Sequence, residues 1–148
     1  MNARDVFEAE VVPRADGRVL YVGVRDYCRY PGETMDVDES VSPTFVDDIC
    51  EPVNAPGETF DTVVCFGVIR YCRSPVRAMN GIRRLVKPGG KAIIGVEWSG
   101  PQDGDTKYGG DKWRFTPQGA RALMSDFKIT WERVFEEKTI FIEGVKCS

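Results

Sequence analysis

Residues 59–97 read TFDTVVCFGVIRYCRSPVRAMNGIRRLVKPGGKAIIGVE and predict a strand, a helix and a second strand in succession. The run Thr62 to Phe66 is apolar on both faces, which is typical of a strand buried in a parallel sheet. Ser74 and Pro75 indicate a helix start, because a serine hydroxyl caps an orphan N–H group and proline is tolerated at the first helical position. Pro88 to Gly90 should end the helix, and Lys91 to Val96 should begin the second strand. A unit of this length is a right-handed parallel crossover, so the sequence predicts an α/β fold.

The helix of this unit should have one apolar face. Four apolar residues recur at helical spacing, and arginines lie on the other faces. The predicted apolar face consists of Val76, Met79, Ile82 and Val86.

Two stretches of this unit carry a family resemblance. FDTVVCFGVI followed by LVKPGGKAIIGV resembles the second half of class I S-adenosylmethionine-dependent methyltransferases, where the usual pattern is F-D-x-V-x-x-x-x-V-L, a helix, and L-K-P-G-G-x-L-x-I. The segment DKWRFTPQGARALM, residues 111–124, resembles one that many members carry after that strand. The resemblance covers roughly the last two-thirds of the chain. It implies a Rossmann-like, mostly parallel sheet and S-adenosylmethionine as the cofactor.

The end of the chain predicts a hairpin. Phe127 to Phe135 and Lys138 to Val145 read as two strands, although Glu136 and Glu137 between them are weak turn residues. An antiparallel C-terminal hairpin at the sheet edge is also what the resemblance implies.

Length and composition restrict the classes of function. The 148 residues fit one methyltransferase-like domain, residues 1–148, and the net charge of −3 argues against a generally basic nucleic-acid surface. The chain has no histidine, which excludes Ser-His-Asp and Cys-His catalysis and any histidine-ligated metal site, and we expect no metal. A proton acceptor must then be a carboxylate, a tyrosine, a lysine or water.

The cysteines and the hydropathy predict a cytoplasmic protein. The five cysteines form no C-x-x-C pair, and no signal peptide or membrane-length apolar run is visible. Reduced thiols in the cytoplasm are the expected state.

The first predicted strand, Arg18 to Val24, departs from the family pattern V-L-D-x-G-x-G. Gly23 matches the first glycine, which the resemblance places near the methionine moiety of the cofactor. Tyr21 stands where an acidic residue is typical, and Arg25 stands where the second glycine would be. Arginine adopts the positive φ of such a loop poorly, so the Gly23-Val24-Arg25 loop is degenerate.

The connections after the first strands are short. Nine residues separate Val24 from Thr34, where the family normally has a whole helix, and residues 51–59 read as a loop. We therefore expect a sheet that lacks one or more helices and has one thinly covered face. The N-terminal arm around Val6, Phe7 and Val11, a second subunit or another partner must cover it. We predict a homodimer that buries this face.

The resemblance assigns a cofactor role to residues at strand ends. Asp36 would bind the ribose hydroxyls, with Asp38 in reserve; a solvated turn carboxylate is the alternative for Asp36. Asp48 would accept a hydrogen bond from the adenine amine, and Ile49 would cover one face of the ring. Phe66, which opens the loop after its strand, completes the predicted set.

An acceptor site is predicted beside the cofactor. Arg70 could clamp a carboxylate or phosphate, and Tyr71 could stack on a ring, unless both are simply exposed residues at the helix entry. The glycine-rich loop of residues 97–112 has the length of a functional lid. This loop and the two residues after it contribute three further candidates: Trp98, Trp113 and Arg114. The two tryptophans could instead be hydrophobic plugs.

The function most favoured by the sequence is methyl transfer to a small-molecule or sugar-like acceptor, with no residue assigned as catalytic base. A non-catalytic relative that binds a nucleoside-type ligand or a protein partner is the alternative. Nucleic-acid methylation, through arginines at 70, 73, 77, 83 and 84, is the least favoured. No membrane association is expected.

Overall fold

The computed structural model describes residues 1–23, 30–104 and 107–147. Within these ranges seven strands form one sheet in the order β3-β2-β1-β4-β5-β7-β6. The strands are β1 Val19–Val22, β2 Glu33–Asp36, β3 Phe45–Val46, β4 Phe60–Phe66, β5 Val86–Glu97, β6 Phe127–Phe135 and β7 Thr139–Lys146. Strands β1 to β5 run parallel, and β7 is antiparallel to both β5 and β6. The predicted Rossmann-like α/β fold with a C-terminal antiparallel hairpin is confirmed.

The described helices are short. They are α1 Ala3–Val6, α2 Pro75–Leu85 and α3 Pro117–Leu123. The first continues as a π-helical turn, Phe7–Val11, and a 3-10 turn, Val12–Arg14. Two further 3-10 turns follow strands β2 and β4, at Glu39–Val41 and Ile69–Tyr71. In the described ranges no helix is long and apolar enough to span a membrane.

In the β4-α2-β5 crossover, helix α2 starts where predicted and ends earlier than predicted. The Ser74 hydroxyl accepts a hydrogen bond from the Arg77 N–H at 3.2 Å and caps α2. The helix ends at Leu85, and β5 already begins at Val86, which pairs with Phe60. Residues 88–90, predicted as the helix stop, instead belong to β5. The register in which β5 pairs with β4 shifts there, between Phe60 and Thr62 of β4.

Helix α2 packs on the sheet with a face that differs from the predicted one. Val76 is 65% exposed because it lies in the first turn, at the edge of the packed face. Val86 is buried, but as a strand residue. The residues of α2 that are buried are Ala78, Met79, Gly81, Ile82 and Leu85.

The opposite face of the sheet is covered by the N-terminal arm. Val6, Phe7 and Val11 are fully buried against a cluster that includes Tyr21 and Phe141. The Phe7 ring is stacked on Phe66, with centroids 5.0 Å apart. The sequence leaves three possible covers for this face: the arm, a second subunit or another partner. In the structure the arm covers it.

The expected loss of helices is confirmed where the chain is described. Between β2 and β4 the structure has one 3-10 turn, the short strand β3 and loops, without an α-helix. In the β1–β2 connection, residues 24–29 lie outside the described residues. The short described connections between β2 and β4 leave the carboxyl ends of these strands open.

Candidate functional site

A cavity of about 720 Å³ opens at the carboxyl ends of strands β1 to β5. Ligands of open α/β sheets bind at this edge, and small-molecule sites typically measure about 300–1,000 Å³. The cavity lining includes all five residues predicted as cofactor contacts: Gly23, Asp36, Asp48, Ile49 and Phe66.

Gly23 and Asp36 form the wall at the ends of β1 and β2. Gly23 has φ +88°, a conformation that glycine adopts without strain, and its N–H donates to the Met35 carbonyl at 2.7 Å. The half-buried Asp36 accepts the Asp38 N–H at 2.8 Å through Oδ1. The carboxylate therefore sits at the strand end predicted for it, on the cavity wall.

Asp47, which the sequence analysis misses, organises the loop after β3. Its buried carboxylate accepts backbone hydrogen bonds from the residues Asp48, Val53, Asn54 and Ala55, at 2.9–3.1 Å. Burial raises the pKa of this group, but the backbone N–H groups outweigh it and leave the pKa below the usual value. The Asp47 carboxylate thus stabilises the conformation of the loop that carries the predicted adenine contacts.

Asp48 and Ile49 occupy the start of this loop. Asp48 is exposed and accepts the Cys50 N–H at 2.8 Å, whereas Ile49 is buried and gives the cavity an apolar wall. Gly81 of α2 supports Ile49 from behind, because a Cβ atom there would lie 1.7 Å from the Ile49 carbonyl oxygen. This close approach requires glycine.

The ends of β4 and the N-terminal arm meet at the next part of the cavity. Phe66 and Gly67 line it, and Gly67 has φ +73°. Arg4 also lines it, with its guanidinium carbon 6.0 Å from the centroid of the Phe66 ring. The arm that covers the sheet therefore also supplies a cation to the cavity.

Glu97, at the end of β5, is a second carboxylate that the sequence analysis did not assign to the site. Its side chain lines the cavity and is 13% exposed, with Oε1 lying 3.6 Å from Arg70 Nη1. Burial raises the pKa of Glu97, and the positive charges of Arg70 and Arg114 offset only part of this effect. A carboxyl with a raised pKa in a cavity is suited to accept a proton.

Arg70 and Arg114 bind a carboxylate of the chain itself. Asp111 is 1% exposed and accepts hydrogen bonds from both guanidinium groups. These bonds, from Arg70 first and then Arg114, hold the pKa of Asp111 well below its usual range. Neither arginine lines the cavity, so the structure gives them an anchoring role in place of the predicted contact with an acceptor.

Tyr71 lines the cavity, and the two predicted tryptophans do not. The Tyr71 hydroxyl donates to Asp103, and burial together with this bond raises the pKa of Tyr71 to about 12. Trp98 packs against the main core, as a hydrophobic plug would. Trp113 donates its Nε1–H to the Cys72 carbonyl at 2.6 Å. Both tryptophans thus fix the long loop after β5.

That loop also crosses to the other side of the cavity. The Lys107 ammonium donates to Asp38, which follows β2, and lowers the pKa of that carboxyl. Lys107 and Tyr108 both line the cavity. Residues 105 and 106 lie outside the described residues.

The strand ends that form the cavity lie in a segment that is similar to a known family. Residues 25–94 match the family described as "Methyltransferase domain". The matched range includes the ends of β2, β3 and β4, which form the cavity wall. The matched range covers just under half of the chain, and the fold is that of solved S-adenosylmethionine-dependent methyltransferases. Both findings agree with the expected enzyme class and the expected cofactor.

Solved structures share this methyltransferase fold. An S-adenosylmethionine-dependent methyltransferase from Methanosarcina mazei superposes with a TM-score of 0.73 at 14% identity, covering 93% of this chain and 97% of that one. The 1,6-didemethyltoxoflavin-N1-methyltransferase of Burkholderia thailandensis, solved with S-adenosylhomocysteine and 1,6-didemethyltoxoflavin, gives 0.68 at 15% identity, covering 98% and 82%.

A sequence relative matches over a short segment. The tRNA U34 carboxymethyltransferase of Hydrogenovibrio crunogenus is 40% identical over 43 residues, which are 29% of this chain. The matching segment spans 13% of that protein. This match therefore concerns a part of the domain and not a whole enzyme.

The departures from the superfamily pattern leave the cavity open where the structure describes it. Tyr21 is 1% exposed and lies under the arm, on the opposite face of the sheet, with its ring 5.7 Å from that of Tyr30. It does not line the cavity. Val24 and Arg25 of the degenerate loop lie outside the described residues.

Proposed function

We propose that the chain binds S-adenosylmethionine in this cavity and transfers the methyl group to a small-molecule acceptor. One observation carries the proposal: residues from the ends of five parallel strands, including all five predicted cofactor contacts, line a single cavity. A non-catalytic binder of a nucleoside-type ligand would use the same cavity, so the assay below measures turnover.

The residues of the cavity suit the chemical parts of this cofactor. The Asp36 carboxylate can accept hydrogen bonds from two ribose hydroxyls, and Asp48 from an adenine amine. Ile49 offers an apolar wall to the adenine ring, and Gly23 lets the cofactor approach the backbone closely. In these roles Asp36 would hold the ribose, Asp48 and Ile49 would hold the adenine, and Gly23 would lie near the methionine moiety.

Glu97 is the residue we assign as proton acceptor. Bound S-adenosylmethionine supplies a methyl group on a sulfonium, whose sulfur leaves with the electron pair of the C–S bond. The acceptor's oxygen or nitrogen forms the new bond to carbon, and its proton passes to the Glu97 carboxylate. The chain otherwise aligns the two reactants, and alignment alone supplies much of the rate enhancement.

The charge distribution supports a small-molecule acceptor over RNA. Partial similarity to a tRNA-modifying enzyme favours an RNA acceptor, but the net charge is −3. Three of the arginines in the proposed basic groove already have partners: Arg70 pairs with Asp111, Arg73 lies 3.7 Å from Glu51, and Arg84 donates to the Pro52 carbonyl. Bulk tRNA is therefore included in the assay below as the competing acceptor.

The test measures S-adenosylhomocysteine formed from S-adenosylmethionine with panels of amines, phenols and sugars, and with bulk tRNA. We expect product with at least one small-molecule class, and a loss of about 10²–10⁴-fold in kcat for Glu97→Gln with cofactor binding retained. Glu136→Gln, on the exposed hairpin turn, is the control. Because the pKa of Glu97 is raised, activity should fall as the pH decreases through it. Turnover with tRNA alone, or full activity of Glu97→Gln, contradicts this assignment.

A further inference from the structure

The Arg70 guanidinium contacts two carboxylates that come from different elements. Arg70 lies in the 3-10 turn after β4, Glu97 ends β5, and Asp111 lies in the loop after β5. All three side chains are largely buried, so solvent screens their charges weakly. The charge of each group therefore affects the ionisation of the other two.

The two contacts of Arg70 differ in kind. Its Nε donates to Asp111 Oδ1 at 3.0 Å, and its Nη2 donates to the other oxygen of the same carboxylate. Such a pair of parallel bonds is the strongest pairing between a guanidinium and a carboxylate. Nη1, in contrast, lies 3.6 Å from Glu97 Oε1, which is longer than a hydrogen bond. Glu97 is thus close to the positive charge but receives no hydrogen bond from it.

Backbone hydrogen bonds hold this arrangement in place. The Arg70 carbonyl accepts the Lys112 N–H at 2.8 Å, and the Glu97 carbonyl accepts the Phe115 N–H at 2.9 Å. These bonds fix the segment that begins with Asp111 against both the turn after β4 and the end of β5. The distance from the Asp111 carboxylate to Arg70 is therefore set by the fold.

Other groups also affect the ionisation of Glu97. Among the described residues, the titratable and charged groups near it include Cys65 of β4, Arg70 of the turn after β4, and Asp111 and Arg114 of the loop after β5. Its partner on β7 is the uncharged Thr139. Burial raises the pKa of Glu97, the cations lower it, with Arg70 the stronger of the two, and Asp111 raises it.

We propose that Arg70 is a positioning residue for the proton acceptor, and that Asp111 controls it by holding the hydrogen-bonding edge of the guanidinium away from Glu97. This inference rests on the proposed function, because it takes Glu97 as the proton acceptor. With Asp111 in place, Glu97 is held by charge and its oxygens stay available for the proton of the acceptor. Without this carboxylate, the same edge of Arg70 is free to pair with Glu97, which then accepts a proton less readily.

Two substitutions with opposite expected effects test this coupling. NMR titration follows the side-chain carboxyl carbon of Glu97, whose signal is the one missing from the spectrum of Glu97→Gln. Arg70→Gln removes the cation and should move the midpoint of this titration to higher pH. Asp111→Asn removes an anion and releases Arg70, so it should move the midpoint to lower pH. Arg70→Lys keeps the charge and should move the midpoint less than Arg70→Gln.

The pH dependence of kcat should follow the same order. With the acceptor identified by the assay above, activity of Arg70→Gln should fall at a higher pH than that of the unaltered protein, and activity of Asp111→Asn at a lower pH. Arg77→Gln and Asp126→Asn make the same changes at exposed positions and should move neither the titration nor the pH dependence. Circular dichroism defines the pH range in which each protein is folded, and both measurements are made within it.

Two results would contradict the inference, and they are distinguishable. Midpoints that move in the same direction for Arg70→Gln and Asp111→Asn, or that do not move, would mean that both residues only anchor the loop. This overturns the inference and leaves the proposed function standing. Full activity of Glu97→Gln would instead remove the proposed proton acceptor, and with it the role of Arg70 in the reaction, whatever the titration shows.

Discussion

At the scale of single residues, two carboxylates of this site could be predicted from the sequence and two could not. Asp36 and Asp48 follow predicted strands in a sequence that resembles a known family, so their placement could be predicted. Asp47 and Glu97 could not, because their roles depend on the backbone of residues 48–55 and on the packing around Arg70. The pairing of Arg70 with Asp111 could not be predicted for the same reason, because Arg70 precedes its partner by 41 positions.

Asp36 should control affinity for the cofactor. Asp36→Ala removes both acceptor oxygens and should weaken binding of S-adenosylhomocysteine by about tenfold to hundredfold. Asp36→Asn keeps one acceptor and should lose less. Titration calorimetry gives both affinities, and equal affinities for the three proteins would remove Asp36 from the site.

Asp111 should control the stability of the loop after β5. Asp111→Asn leaves two guanidinium groups without their anion and should lower the free energy of unfolding by about 3 kcal/mol. The folded-state pKa of Asp111 is depressed, so its contribution is full above the unfolded value of about 3.9 and decreases as the pH falls below it.

Thermal unfolding at several pH values checks this behaviour. The difference in Tm between the unaltered protein and Asp111→Asn should be constant from pH 5 to 8, and narrower below about pH 4. Asp126→Asn, at an exposed position, should change Tm little at any pH. A Tm difference between the two proteins that increases below about pH 4 would show that the Asp111 carboxylate does not stabilise the fold.

At the scale of elements, the crossover and the hairpin could be predicted from local patterns, and their exact ends could not. Ser74 and Pro75 predict the start of α2 correctly. The helix ends at Leu85, earlier than predicted, because Val86 pairs with Phe60 as a strand residue. At the hairpin turn, Glu136 and Glu137 both have a positive φ near 50°. Glutamate rarely adopts this conformation, so these two residues predict a turn only weakly. Pairing of β6 with β7 overrides that preference.

Gly81 should couple helix α2 to the cavity. Gly81→Ala improves helix propensity but forces the Ile49 backbone away, and overpacking of this kind costs about 1–3 kcal/mol. We expect a Tm lower by roughly 3–10 °C and weaker binding of S-adenosylhomocysteine. Asn80→Ala, on the exposed side of the same turn, should not lower Tm. A Gly81→Ala protein as stable as the control would contradict the close contact.

At the scale of the whole molecule, the shortened sheet is completed by its own N-terminal arm. The sequence predicts one thinly covered face, and which of the arm, a subunit or a partner covers it depends on packing. Phe7 favours the arm, because its ring packs against both Phe66 and Phe141. The predicted homodimer stays a proposal, and it would need another surface than the part of this face that the arm buries.

Phe7 should therefore stabilise the entire domain. Phe7→Ala leaves a cavity under the arm and should lower the free energy of unfolding by about 3–5 kcal/mol, as measured by denaturant titration. Phe7→Leu keeps much of the volume and should lose less. A negligible loss for Phe7→Ala would mean that something other than the arm covers the face.

Light scattering tests the homodimer separately. A mass of two chains at micromolar concentration would support it, and a single-chain mass would remove it. If Phe7→Ala alone shows a higher mass, the arm is what keeps this face from associating.

The claim on which the rest depends is that the cavity at the strand ends holds S-adenosylmethionine. Titration calorimetry of the unaltered protein with S-adenosylhomocysteine tests it most directly. We predict saturable binding with one ligand per chain. A folded protein that gives no heat at high micromolar ligand would contradict the claim.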